Sequence, residues 1–288
     1  MMEALLDICL DACIDTIKLI PFLFLAYLAM EYLEHKMGER TQNFVERAGK
    51  WGPLVGGLAG VVPQCGFSAA ASNLYAGKLI TLGTLIAIYL STSDEMLPIL
   101  ISSPDSGRTS AGIILKILAM KAVIGIIAGF IVDILFRKKE EHIHIHDICE
   151  QEHCHCEEGV WRSAIRHTLK ISSFLLVITF LLNLAIHFIG EDTLENLLMN
   201  RPFLGPILAG IVGLIPNCAA SVAITRLYVE GALETGAMMS GLLVGAGVGL
   251  LVLFRVNHNR KENLKIVGLL YLIGVAAGIL IGFLPWKI

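Results

Sequence analysis

Two short phrases with sulfur at their centres carry the first chemistry in this chain. Pro63-Gln64-Cys65 recurs as Pro216-Asn217-Cys218, and the two cysteines stand 153 positions apart. Around them, Gly52 to Gly83 can be laid on Gly205 to Gly236 without a gap. Identical pairs include Gly57/Gly210, Gly60/Gly213, Ser68/Ser221, Leu74/Leu227 and Tyr75/Tyr228. A thiol beside an amide, supplied twice, is a ligand set for soft or borderline species such as Cu(I), Zn(II) and thiophilic metalloids. Each proline removes a backbone donor and clashes with the preceding turn, so a helix should stop or kink at Pro63 and at Pro216. The carbonyl and N–H groups freed there must face protein or a water-filled cavity. Ser68 and Ser221, one turn on, either ligate or bond a carbonyl one turn back. The competing reading makes each proline a packing kink and each cysteine an apolar filler. Repetition in register, beside an amide each time, weighs against it.

A second ligand set is Ser91-Thr92-Ser93-Asp94-Glu95, in the middle of the apolar stretch Ile80–Ser102. Adjacent acids and hydroxyls at that depth are costly unless they face a cavity or a relay. Asp94 and Glu95 are therefore candidates to balance a bound cation or to accept a proton. The alternative places them in an outside loop beside Pro98. The matching stretch, Val244-Gly245-Ala246-Gly247-Val248, has no acid. The first half would supply charge, and the second would supply space and flexible backbone.

The third set is a hydrophilic run, Glu141–Glu158, with five of the nine histidines and three of the seven cysteines. His142, His144, His146, Cys149, His153, Cys154, His155 and Cys156 fit transition-metal binding, although their spacing matches no defined finger. A loop of this kind can gather, sense or buffer metal; a solvated linker is the bland alternative. Cys9 and Cys13, one helical turn apart, read as helix packing. The seven cysteines do not form a disulfide framework.

The elements that must position these residues are apolar. The chain has 288 residues, 55% hydrophobic and 16% charged, with mean hydropathy +0.72, which excludes an ordinary soluble domain. Stretches long enough to span a bilayer are Ile17–His35, Ile80–Ser102, Ile113–Phe136, Ile171–Gly190, Ala232–Arg255 and Ile266–Trp286. Gly52–Ala76 and Gly205–Val229 are apolar but proline-broken. Basic residues gather in Lys36–Lys50, Arg137–Lys170 and Arg255–Lys265, which the positive-inside rule makes cytoplasmic. The acidic Met1–Asp15 lacks the basic region of a signal peptide.

Lys116, Gly125 and Gly129 correspond to Lys265, Gly274 and Gly278 at an offset of 149, so the repeat extends to the late helices. The expected fold is an all-α polytopic membrane protein of two inverted-topology repeats. Each has about five helices when its Pro-Gln/Asn-Cys broken helix is counted as two; a plain eight-span plan would put basic loops on both sides. Residues 1–137 form the first membrane repeat, 138–161 the cytoplasmic His/Cys loop and 162–288 the second repeat. A duplicated apolar half with matching interruptions points to a secondary transporter with its binding site at the breaks.

The motifs G-x-x-P-Q-C-G-F-S-A-A, S-T-S-D-E-M-x-P and G-x-I-P-N-C-A-A-S, with the His/Cys-rich central loop, resemble those of the ten-transmembrane-helix heavy-metal exporters. Members of that family are described as arsenic efflux proteins or as manganese transporters. The resemblance covers almost the whole chain. It implies efflux of a metal or metalloid ion across the cytoplasmic (inner) membrane of a prokaryote. Manganese would use Asp94, Glu95 and amide oxygens, whereas arsenite or a soft metal would use Cys65 and Cys218. The passenger would be bound by Gln64, Cys65, Ser68, Asn217, Cys218 and Ser221, with Asp94 or Glu95 as counter-charge.

No cofactor is required; a transition metal is the substrate and the loop ligand. Partners are the ion and the lipid bilayer, not nucleic acid, and a homo-oligomer is compatible with the sequence. No G-x-x-x-x-G-K-[ST] loop is present, so coupling to protons or another ion is expected, and not ATP. Two rivals remain: a membrane thiol oxidoreductase that pairs Cys65 with Cys218, and a metal sensor. Deleting His142–Cys156 separates transporter from sensor. Vesicle flux should persist at a reduced rate in a transporter, whereas a sensor loses its metal response.

Overall fold

The computed structural model describes residues 49, 51–62, 65–93, 96–102, 109–136, 160–189 and 204–283, with helical positions between 9 and 28. Gln64, Pro63, Asp94, Glu95 and the His/Cys loop lie outside the described residues. All regular structure among the described residues is helical. The first half contains α1 (Gly52–Gly60), α2 (Cys65–Ala76), α3 (Leu82–Ser91), α4 (Met96–Ser102) and α5 (Ala111–Leu135). A long helix, α6 (Val160–Ile189), leads to the second half. That half contains α7 (Leu204–Gly213), α8 (Cys218–Val229), α9 (Thr235–Val244), α10 (Val248–Val256) and α11 (Arg260–Phe283).

Each half therefore carries two interrupted elements where the sequence signals one. The proline breaks lie between α1 and α2 and between α7 and α8. The stretches Ile80–Ser102 and Ala232–Arg255, which read as continuous spans, are also broken, between α3 and α4 and between α9 and α10. Neither of these further breaks contains proline.

The triplet α1, α3 and α5 packs mutually, as does α7, α9 and α11. Glycine makes both triplets close. A Cβ on Gly129 would lie 2.6 Å from the Gly83 carbonyl oxygen, and one on Gly278 would lie 2.6 Å from that of Gly236. Gly57 meets Ile126 as Gly210 meets Val275, again corresponding positions. Small residues at such contacts let backbones approach where lipid supplies no hydrophobic drive between helices.

Gly56 faces Thr84 and Ile88, and Gly60 faces Ile88 and Ser91, so α1 and α3 run side by side in the same direction. The short turn from α2 into α3 then requires α2 to return alongside, which makes α1 and α2 a hairpin. Both hairpins end in the same cap. Leu79 N–H donates to Leu74 O at 2.9 Å and Ala232 N–H to Leu227 O at 2.9 Å. Lys78 (φ 54°) and Gly231 (φ 83°) take the left-handed position, a Schellman ending.

Among the described residues, four helices are long and apolar enough to cross a membrane. Leu82–Ile101 and Thr235–Val256, taken across their breaks, are 75% and 78% buried. Ala111–Leu135 and Arg260–Phe283 are 39% and 33% buried, so the interrupted pair is central and the uninterrupted pair peripheral. On α5, Val123, Ile127 and Ile131 are exposed one turn apart, an apolar outer stripe suited to acyl chains. This is an all-α polytopic membrane protein.

The halves join through α2 against α10 and α8 against α4. Ser68 sits against Gly249, whose carbonyl accepts from Ser72 Oγ at 2.7 Å and from Tyr89 Oη at 3.2 Å. Tyr75 Oη donates to Glu262 Oε1 at 2.7 Å. The first helical residues join the same side: Tyr27 Oη donates to Asn73 Oδ1 at 2.8 Å, and Leu23 clusters with Ala69, Leu175 and Val252.

Gly278→Val is expected to destabilise by about 1–3 kcal/mol through overpacking, read as a lowered unfolding temperature in detergent. Gly268→Ala, with nothing within 4 Å of its added Cβ, should be neutral or stabilising by up to about 1 kcal/mol. Equal effects from the two would contradict the close-packed interface.

Candidate functional site at the helix interruptions

The break after α3 is made by hydroxyls. Ser91 Oγ donates to Ala87 O at 2.8 Å and Thr92 Oγ1 to Ile88 O at 2.7 Å. These bonds add to the helical one that Thr92 N–H makes to Ile88 O at 3.0 Å, and such back-bonding bends a helix. Thr92 then turns to ψ 130° and the helix ends. The break after α9 is made by glycine. Ala246 N–H bonds Val244 O at 2.9 Å, where a continuing helix would bond Leu242 O. Gly247, at φ 52° and ψ −141°, adopts a conformation that side chains disfavour. The carbonyl of Leu242 is left without its helical donor.

That donor is replaced by Lys121. Its Nζ donates to Leu242 O at 2.9 Å and to Thr92 O. The residue is 1% exposed although it lies in the interior of the apolar α5. An ammonium in such surroundings would cost several kcal/mol without compensation. Here it bonds two carbonyls at the C-terminal ends of half-helices, where the peptide dipoles favour positive charge. One end comes from each half of the chain.

The break between α7 and α8 approaches the same place. Asn217 N–H reaches back across Pro216 to Ile215 O at 2.7 Å, and Ala220 N–H donates to Asn217 O at 3.3 Å. Asn217 is buried immediately before α8, at a position where asparagine is a favoured cap. A small cavity of 20 Å³, about one water molecule's worth, lies between these ends. The first half lines it with Thr92, Ser93, Met96 and Lys121. The second half lines it with Gly213, Ile215, Asn217, Ser221, Leu242, Gly245 and Gly247, among others. Hydroxyls, an amide, main-chain carbonyls and one ammonium therefore meet in a space of ionic size.

Of the candidate residues, Asn217 and Ser221 line this cavity, and Pro216 lies in the break beside it. Cys65 and Cys218 begin α2 and α8; their side chains lie outside the described part. Gln64, Pro63, Asp94, Glu95 and the loop residues His142 to Cys156 also lie outside it. Ser68 is buried at the α2–α10 junction and is not among the lining residues. Cys9 and Cys13 are free thiols. No group of three metal-ligating side chains occurs among the described residues.

Sequence reading missed Lys121. Its signal was present, a charge well inside the expected span Ile113–Phe136, and such residues are functional candidates by default. Its repeat partner is Leu270, so the duplication does not mark it.

Neither the curated proteins nor the solved structures contain a match to this chain. The family described as "Putative, 10TM heavy-metal exporter" matches it over residues 2–159 and 138–259. Those two regions take in both proline breaks, Lys121 and the cavity-lining residues, and on that match the chain belongs to this family of heavy-metal exporters.

Proposed function

We propose that the chain is a secondary transporter that exports one heavy-metal or metalloid species from the cytosol, bound where the interrupted helices of two inverted repeats meet. The single observation behind this reading is the cavity shared by helix ends of both halves. Inversion is supported by direction. Phe136, at the end of α5, lies under Lys265, 3.6 Å from ring centroid to Nζ, near the start of the corresponding helix α11. The reciprocal contacts α2–α10 and α8–α4 fit a pseudo-twofold arrangement. Rocking of one half against the other would open the cavity to each side in turn.

In this reading Asn217, Cys218, Gln64 and Cys65 hold the passenger, Ser221 and Thr92 add oxygen ligands, and Asp94 or Glu95 supplies counter-charge or the coupling proton. The His142–Cys156 loop gathers metal on the cytoplasmic side. A second reading, a manganese or other divalent-metal transporter, is favoured by the amide and hydroxyl oxygens that line the cavity. The family makes a transporter the better reading than a thiol oxidoreductase or a sensor.

Uptake into inside-out vesicles tests both. Wild type should accumulate arsenite, manganese(II) or another metal of a panel. For a thiophilic passenger, Cys65→Ser and Cys218→Ser should each lower uptake at least about tenfold, the loss of roughly 1.4 kcal/mol or more. For manganese, Asp94→Asn and Asn217→Ala should do so while the cysteine variants transport normally. Absence of uptake for every metal, or normal flux in all four variants, would contradict the proposal.

A further inference from the structure

We propose that the Lys121 ammonium is a tethered cation, filling a monovalent-cation site built from the carbonyl ends of α3 and α9. The ligands it occupies are those that a sodium, potassium or small alkylammonium ion would take. Thr92 is the C-cap of α3 and Leu242 lies in the last turn of α9. Both oxygens therefore belong to the set that a helix leaves without internal donors. Half-helix C-terminal ends and unwound carbonyls coordinate coupling cations in membrane transporters generally. Here the charge arrives on a four-carbon arm rooted in α5, and so cannot leave with the passenger.

The lysine is not repeated, since Leu270 takes that place in the second half and is fully buried. The cavity thus holds one fixed positive charge on one side of the pseudo-twofold arrangement. Lys121 belongs to the first half and Leu242 to the second, so their bond crosses between the parts expected to rock. Separation of the halves must break it. The consequence for coupling rests on the transport reading: no free monovalent co-ion is required at this point. The cation site itself does not rest on that reading.

The test uses the purified full-length protein in detergent, with ethylammonium, sodium, potassium and the bulkier tetramethylammonium as chlorides at equal ionic strength. Lys121→Ala should unfold at a lower temperature than wild type. One of the three small cations should raise that temperature by roughly 3–6 °C at tens of millimolar, as linkage to a site of millimolar affinity gives. Tetramethylammonium should not, and wild type should respond to none of them. A Lys121→Ala protein no more sensitive to small cations than wild type would overturn the proposal. So would a Lys121→Met protein as stable as wild type, because the side chain would then only fill space.

If Lys121→Ala fails to fold, folded yields of Lys121→Arg and Lys121→Met decide. Recovery by arginine alone supports a required cation, and equal yields overturn it. In vesicles, Lys121→Ala should lose at least tenfold in flux and regain part of it with the cation that restored stability. Failure of wild type to move any metal would sink the transport reading and leave the stability result to decide the cation site.

Discussion

A backbone carbonyl or amide that leaves its helix inside an apolar medium must find another partner, and this requirement organises the centre of the molecule. Each unsatisfied group there costs several kcal/mol. Interruptions are therefore tolerable only where they can serve one another or a polar cavity. At the α3 end, Ser93 Oγ donates to Ser91 O and Lys121 to Thr92 O. At the α9 end, a glycine turn leaves Leu242 O to Lys121. At the α8 start, Asn217 folds its own amide back across Pro216. These different local solutions share one cavity, so polar groups drawn from both halves converge there.

Convergence of that kind needs the supporting helices to be close and stiff. The pairs Gly83/Gly129 and Gly236/Gly278 bring backbones together at corresponding positions, which fixes α3 on α5 and α9 on α11. Tyr89 and Ser72 then tie Gly249 of the second half to the first. The result is a central interrupted pair held between two peripheral helices. Apolar side chains such as Val123, Ile127 and Ile131 face outward along α5. At the cavity the halves differ: hydroxyls and Lys121 in one, glycines and Leu270 in the other.

Much of this was legible in the sequence because duplication is a strong signal. The offsets of 153 and 149 predict which helices correspond, and the prolines predict the α1–α2 and α7–α8 breaks. The pairing of hydroxyls with glycines between the halves was also visible. The breaks after α3 and α9 carry no such mark, because neither contains proline. Hydroxyl back-bonding over Ser91–Thr92 and the turn at Gly245–Gly247 act through backbone geometry that an apolar run does not announce. Ser68 shows the opposite case. It repeats as Ser221, yet the α2–α10 junction takes it away from the cavity while Ser221 stays on it. Lys121 leaves no mark in the repeat because Leu270 stands at the corresponding position.

The most direct measurement is X-ray diffraction from crystals grown with the transported metal or metalloid, with data collected at its absorption edge. An anomalous peak is predicted in the cavity bounded by Thr92, Asn217, Ser221 and Gly245. A protein that transports the species but shows its peak only at His142–Cys156, with none between the interruptions, would contradict the account.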